Sequence, residues 1–113
     1  MKEGDVILTP MTQSDRKVKN RPAICLRDMP PFQDMLVCGV STQIHQLTFD
    51  FDELITSQDS DFSSSGLVND SLIHLGFLAV LPRHNIIGSI GSISPERYQR
   101  LLRRLSEYLI QEL

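Results

Sequence analysis

Apolar positions fall first into short blocks and then, near the end of the chain, into a helical stripe. Val6-Ile7-Leu8 follows Gly4-Asp5 and stops at Thr9-Pro10, a polar loop runs from Met11 to Asn20, and a second block spans Pro22 to Leu26. Pro30-Pro31 breaks the chain before a third block, Met35 to Val40. Continuous apolar runs of this length predict strands buried on both faces or closing a small barrel. Leu47-Thr48-Phe49-Asp50-Phe51-Asp52 instead alternates, which predicts a strand with one buried and one solvated face. Ser57 to Ser65 has the Ser- and Asp-rich composition of an exposed loop. Leu72–Leu81 and Ile86–Ile93 complete the strands, and Gly76, Gly88 and Gly91 within them predict bends or bulges in a curved sheet.

The period then changes. Ser94-Pro95-Glu96 is a helix start, with a capping hydroxyl, proline at the first helical position and an acid in the first turn. Tyr98, Leu101, Leu102, Leu105 and Leu109 follow at helical spacing, while Arg97, Arg100, Arg103 and Arg104 lie mostly off that stripe. The pattern predicts a mainly β body, residues 4–93, closed by one terminal helix over residues 95–111. At 113 residues the chain is one domain with a modest core.

Composition narrows the function classes. No apolar run approaches the ~18 residues that suggest a membrane span, so no membrane partner is expected. Met1-Lys2-Glu3-Gly4-Asp5 lacks the layout of a signal peptide, and the expected location is cytoplasmic. In that compartment Cys25 and Cys38, both inside apolar runs, read as small core hydrophobes rather than a disulfide. The net charge of −3 is unevenly spread. Residues 1–28 carry six Lys/Arg and four acids, residues 29–70 carry seven acids and no Lys or Arg, and residues 71–113 carry five Arg and three acids. A uniformly basic nucleic-acid binder is excluded, and strong nonspecific binding to duplex DNA is disfavoured. A local basic site facing an acidic belt is compatible with the pattern.

Familiar site motifs are missing. His45, His74 and His84 are scattered without metal-ligand spacing. Asp50 and Asp52 share a face of the alternating strand and could hold a hard cation, but a solvated face already accounts for them. Gly88-Ser89-Ile90-Gly91 is a bare G-x-x-G in a strand-like run, and no Walker or Rossmann fingerprint is present. What stands out is Arg21, between the basic stretch Arg16-Lys17-Val18-Lys19-Asn20 and an apolar strand, with Ser41-Thr42-Gln43 ending the next one. If the two strands pair, a planar cation and two hydroxyls come near each other, a combination suited to phosphate oxygens. From spacing alone, a surface arginine beside a turn with ordinary hydroxyls at a strand end is the favoured reading.

The ordered set Gly4-Asp5-Val6, Asn20-Arg21-Pro22-Ala23-Ile24, Val40-Ser41-Thr42-Gln43, Gly66-Leu67, Asp70-Ser71-Leu72-Ile73 and Ile87-Gly88-Ser89-Ile90-Gly91 resembles the signature of the MazF/PemK toxin family over nearly the whole chain. The resemblance implies a compact SH3-like β-barrel with a C-terminal helix, a homodimer, and an endoribonuclease that needs no metal or other cofactor. It further implies single-stranded RNA as substrate and a cognate antitoxin as partner, with operator DNA reached only through that antitoxin. By position, the family's catalytic arginine falls on Arg21 and its catalytic hydroxyl on Ser41, with Thr42 beside it. Arg16, Lys17, Lys19, Asn20, Gln43 and His74 are the accompanying RNA-binding candidates; His74 could supply a donor or proton shuttle, or be purely structural. Two positions depart from the family pattern. Many members carry an acid in the loop before the arginine, where Asp15 is offset, and a polar Gln-containing stretch where this chain has the wholly apolar Gly76–Pro82. The alternative class is a non-catalytic protein of the same fold acting by binding, as a gyrase poison or as a regulator engaging antitoxin and operator.

Overall fold

The computed structural model describes residues 1–12 and 15–112. Six strands, β1 (Asp5–Thr12), β2 (Val18–Met29), β3 (Asp34–Ser41), β4 (Glu53–Ile55), β5 (Ser71–Leu81) and β6 (Gly88–Ser92), form one antiparallel sheet in the order β4-β5-β3-β2-β1-β6. The sheet curls into a half-barrel, with a four-residue helix α1 (Phe62–Ser65) and the C-terminal helix α2 (Pro95–Leu109). This is the mainly β architecture that the pattern predicts, and α2 starts at the predicted cap, where the Ser94 hydroxyl accepts from the Arg97 N–H at 3.1 Å.

Alternation within the apolar runs explains why they are continuous. Val6, Ile24, Leu26, Cys38, Val40, Ile73 and Leu75 face a larger core with Leu101 and Leu105 of α2. Their neighbours Ile7, Ala23, Cys25, Met35 and Val37 face a smaller core with Ile86 on the opposite side. Each central strand therefore buries both faces. Cys25 and Cys38 sit in different cores as free thiols, which is why paired strands do not bring them together. Burial pushes the Cys25 thiol up to about 11 and the Cys38 thiol to about 12, so both remain neutral.

Ladder pairing extends beyond the apolar blocks. The β1–β2 register runs from Val6↔Ile24 to Thr12↔Val18, so both strands extend into the expected 11–20 loop; Gln13 and Ser14 lie outside the described residues. The glycine-marked bends are present. Between Cys38↔Leu78 and Gly39↔His74 the β3–β5 register shifts, leaving Leu75, Gly76 and Phe77 bulged from the ladder. Gly66 caps α1 with φ 77°, and a Cβ there would collide with the Ile90 carbonyl oxygen; Gly91 approaches the Ser64 carbonyl in the same way. Two glycines thus let α1 lie against the β6 edge.

Three expectations need correction. Leu47–Asp52 is not a strand. The chain turns through Ile44–Gln46 as a 3-10 helix, and the Phe51 and Asp52 N–H groups then donate to Thr48 O at 3.2 and 3.0 Å. Asp52 closes the turn by accepting from the Thr48 N–H at 2.9 Å, the local side-chain bonding by which aspartate competes with a ladder. Asp50 is exposed at φ 62° and Asp52 is buried, so they share no face and do not form a cation site. Ser57–Ser65 is not an open loop, since it contains α1 and buries Asp61 and Ser65.

The acidic belt is the third correction. Arg97 is only 4% exposed, and its Nε and Nη2 donate to Asp61 at 2.8 and 3.1 Å while Nη1 donates to Glu53 at 2.8 Å. Arg100 also donates to Glu53 at 3.0 Å, and Arg97 lies 3.4 Å from Asp59. Three acids of the middle segment, Glu53, Asp59 and Asp61, therefore pair with arginines of α2. The Asp61 carboxyl is held below its ordinary range: burial works to raise it, and the hydrogen bonds from Arg97 and the Ser94 N–H outweigh that.

Candidate functional site

The Ala23↔Gly39 pair joins β2 to β3, and two residues outward on the same face the strands carry Arg21 and Ser41. On its other side Arg21 stands opposite Thr9 of β1. The β3–β5 pair Gly39↔His74 adds His74 to the same row. All four residues line one groove of about 420 Å³, together with Thr42, Gln43, Met11, Phe77, Leu78, Ala79 and Leu81. Strand pairing thus converts three distant segments into one site, as the sequence condition for a phosphate-binding arrangement requires.

Arg21 is half-buried against the sheet. A guanidinium stays protonated at any working pH and presents donors in a fixed fork. The Ser41 Oγ accepts from the Gln43 N–H at 3.0 Å, which fixes the hydroxyl at the strand end and leaves its O–H as a donor. Thr42 and Gln43 are exposed at the groove mouth. The chemistry on offer is donation and positive charge toward an anion, beside an apolar wall.

That wall is the 76–82 segment. Phe77 is 62% exposed and stacks on His74, with centroids 4.3 Å apart and planes at 19°. Gly39 lies against it, a Cβ at residue 39 standing in van der Waals contact with the Phe77 Cβ at 3.4 Å. The apolar stretch therefore flanks Arg21 and leaves the groove open between them.

His74 itself is 5% exposed. Its Nδ1 lies 3.5 Å from Asp52 Oδ2, and its Nε2 is, among the described residues, the buried side-chain polar atom without a hydrogen-bond partner. Asp52 also accepts from the Leu75 N–H at 3.1 Å, so it ties the histidine to the turn before β4. Sequence reading places Asp52 on a solvated face and misses this contact, because nothing in the alternation distinguishes a turn-closing aspartate from an exposed one. It equally misses Phe77, whose exposure is set by the bulge rather than by its own chemistry.

The basic stretch lies apart from the groove. Arg16 and Lys17 precede β2 and Lys19 and Asn20 lie near its start; all four are exposed and line no part of the groove. Lys19 pairs opposite Met11 and by alternation shares Arg21's face, whereas Asn20 faces the other way. A track of positive charge thus leads along the ribbon toward Arg21. Among the described residues no cluster of three His, Cys, Asp or Glu side chains is set to hold a metal ion. No helix among them is long and apolar enough to cross a membrane.

Among curated proteins none matches the sequence. The family model of PemK-like, MazF-like toxins of type II toxin–antitoxin systems matches residues 2–109, which includes every strand, both helices and the whole groove. The protein belongs to the PemK-like, MazF-like family of type II toxin–antitoxin toxins.

Proposed function

We propose that this toxin is a metal-independent, sequence-selective endoribonuclease that cuts single-stranded mRNA, stopping translation and growth. It works in the cytoplasm as a homodimer and is neutralised by a cognate antitoxin. The observation that carries the reading is the convergence of Arg21, Ser41 and Thr42 on one groove, the three positions that the family resemblance marks as catalytic.

In such a cleavage the ribose 2′-OH attacks the adjacent phosphorus, and negative charge builds on the phosphorane oxygens. The Arg21 guanidinium stabilises that charge in the transition state. Ser41 and Thr42 donate to the phosphate oxygens or the leaving oxygen, and Gln43 and His74 supply further polar contacts to the nucleotide. Phe77 offers an exposed ring on which a base can stack, a contact worth about 1–3 kcal/mol. Arg16, Lys17 and Lys19 draw in the backbone, with Asn20 as a lesser contact.

The test is digestion of mixed single-stranded RNA in EDTA by the wild type and by Arg21→Ala. Loss of one preorganised donor to a developing anion costs about 10²–10³ in rate. Intact RNA with the wild type, or equal cutting by the variant, overturns the assignment. The first outcome favours the binding-only alternative.

A further inference from the structure

The buried histidine behind the groove has a more definite role than holding the sheet together. We infer that His74, oriented by Asp52, is the general base that activates the attacking ribose hydroxyl; this rests on the ribonuclease reading above. Asp52 faces one ring nitrogen of His74, Nδ1, at 3.5 Å, and the other, Nε2, has no partner although buried. A carboxylate can only accept, so Asp52 favours the tautomer with the proton on Nδ1 and the lone pair on Nε2. Base–orienter contacts of this kind are long before substrate binds and tighten afterwards.

A purely structural histidine would satisfy both nitrogens, because an unpaired buried polar atom carries its full desolvation penalty. Here the unsatisfied atom belongs to the side chain that lines the same groove as Arg21 and Ser41. The charged groups around it are Asp52, from the turn before β4, and Arg21, from β2; among the described groove-lining residues Arg21 is the charged one. The arrangement separates the two tasks of the reaction. Arg21 is a permanent cation and a poor base, whereas imidazole exchanges a proton near neutral pH. Phe77, stacked on one face of the imidazole and largely exposed, borders the path by which a nucleotide reaches the ring.

The step balances without a co-reactant. The 2′-OH proton passes to Nε2 as the O2′–P bond forms, and the P–O5′ bond breaks. The leaving 5′-oxygen takes a proton from solvent, and the imidazolium returns its own to solvent. The products are a 2′,3′-cyclic phosphate and a 5′-hydroxyl end.

Single-turnover cleavage of single-stranded RNA in EDTA, measured from about pH 5 to pH 9 across the imidazole range, tests the assignment. The wild-type rate should rise with pH and then level off. His74→Gln should lower it about 10²–10⁴-fold and abolish the rising limb, with the melting transition checked separately. His74→Ala should regain rate on addition of free imidazole. A wild-type rate that is flat or falls with pH overturns the inference without any variant. A folded His74→Gln protein that cuts at the wild-type rate also overturns it, leaving the ribonuclease reading intact. If the wild type cuts nothing, both readings fail together.

Discussion

Arg97→Ala should be the most damaging single change outside the groove. The side chain is 4% exposed and donates to Asp61 twice and to Glu53 once. Truncation does not strand the two acids equally. Glu53 keeps Arg100 at 3.0 Å and Arg104 at 3.4 Å, whereas Asp61, among the described residues, is left with donors from Ser94 and no cation it hydrogen-bonds. Breaking a buried pair from one side costs about 3–5 kcal/mol, because it leaves an uncompensated charge. Unfolding entropy near 2.1 cal/mol/K per residue makes 1 kcal/mol worth about 4 °C at this chain length. A fall in melting temperature of about 13–20 °C is therefore expected by circular dichroism at neutral pH. The exposed neighbour variant Arg103→Ala should stay within about 0.5 kcal/mol of wild type. Adding Asp61→Asn to the Arg97 variant should recover part of the loss by removing the stranded charge. Acid supplies a sign check. Asp61 ionises below its ordinary range in the fold, so its contribution is complete above the unfolded-chain value of about 3.9 and disappears as pH falls through the lower folded value. The gap between wild type and variant should narrow in that window. A melting shift below about 4 °C at neutral pH would refute the view that this network holds α2 to the sheet.

Gly66→Ala combines a positive φ with a Cβ driven into the Ile90 carbonyl, and should cost more than about 1 kcal/mol in urea unfolding. Gly88→Ala meets open space and is the control; equal effects at the two glycines would sink the argument. Lys17→Ala with Lys19→Ala should make the salt dependence of binding to a non-cleavable single strand shallower by about 0.7 per lost phosphate contact. An unchanged slope in fluorescence anisotropy titrations would remove these lysines from the RNA path.

The α2 arginines are the clearest case of chemistry that periodicity misplaces. Their positions off the leucine stripe describe a solvated face well, because a helical wheel records angle and not what stands opposite. Opposite stand Glu53, Asp59 and Asp61, at the β4 edge and around α1, more than thirty residues away. The alternation at Leu47–Asp52 failed for a related reason. Period two is a strand signal only where a neighbouring strand is available, and here Asp52 closes a turn on Thr48 instead.

What the amino-acid order determined by itself was the local and the ordered. Apolar blocks, glycine punctuation and the Ser94-Pro95 cap specified a curved sheet and a terminal helix, because strand and helix periods are properties of neighbouring residues. The succession of short motifs marked Arg21, Ser41 and Thr42. Tertiary structure decided which side chains meet. Antiparallel register placed Arg21, Ser41 and His74 along one groove, and a three-residue bulge turned Phe77 over that histidine. Asp52 came to His74 from a turn far back in the chain, and Arg97 found its acids only when α2 closed on the sheet. Such contacts depend on distances across the fold, and a sequence records only distance along the chain.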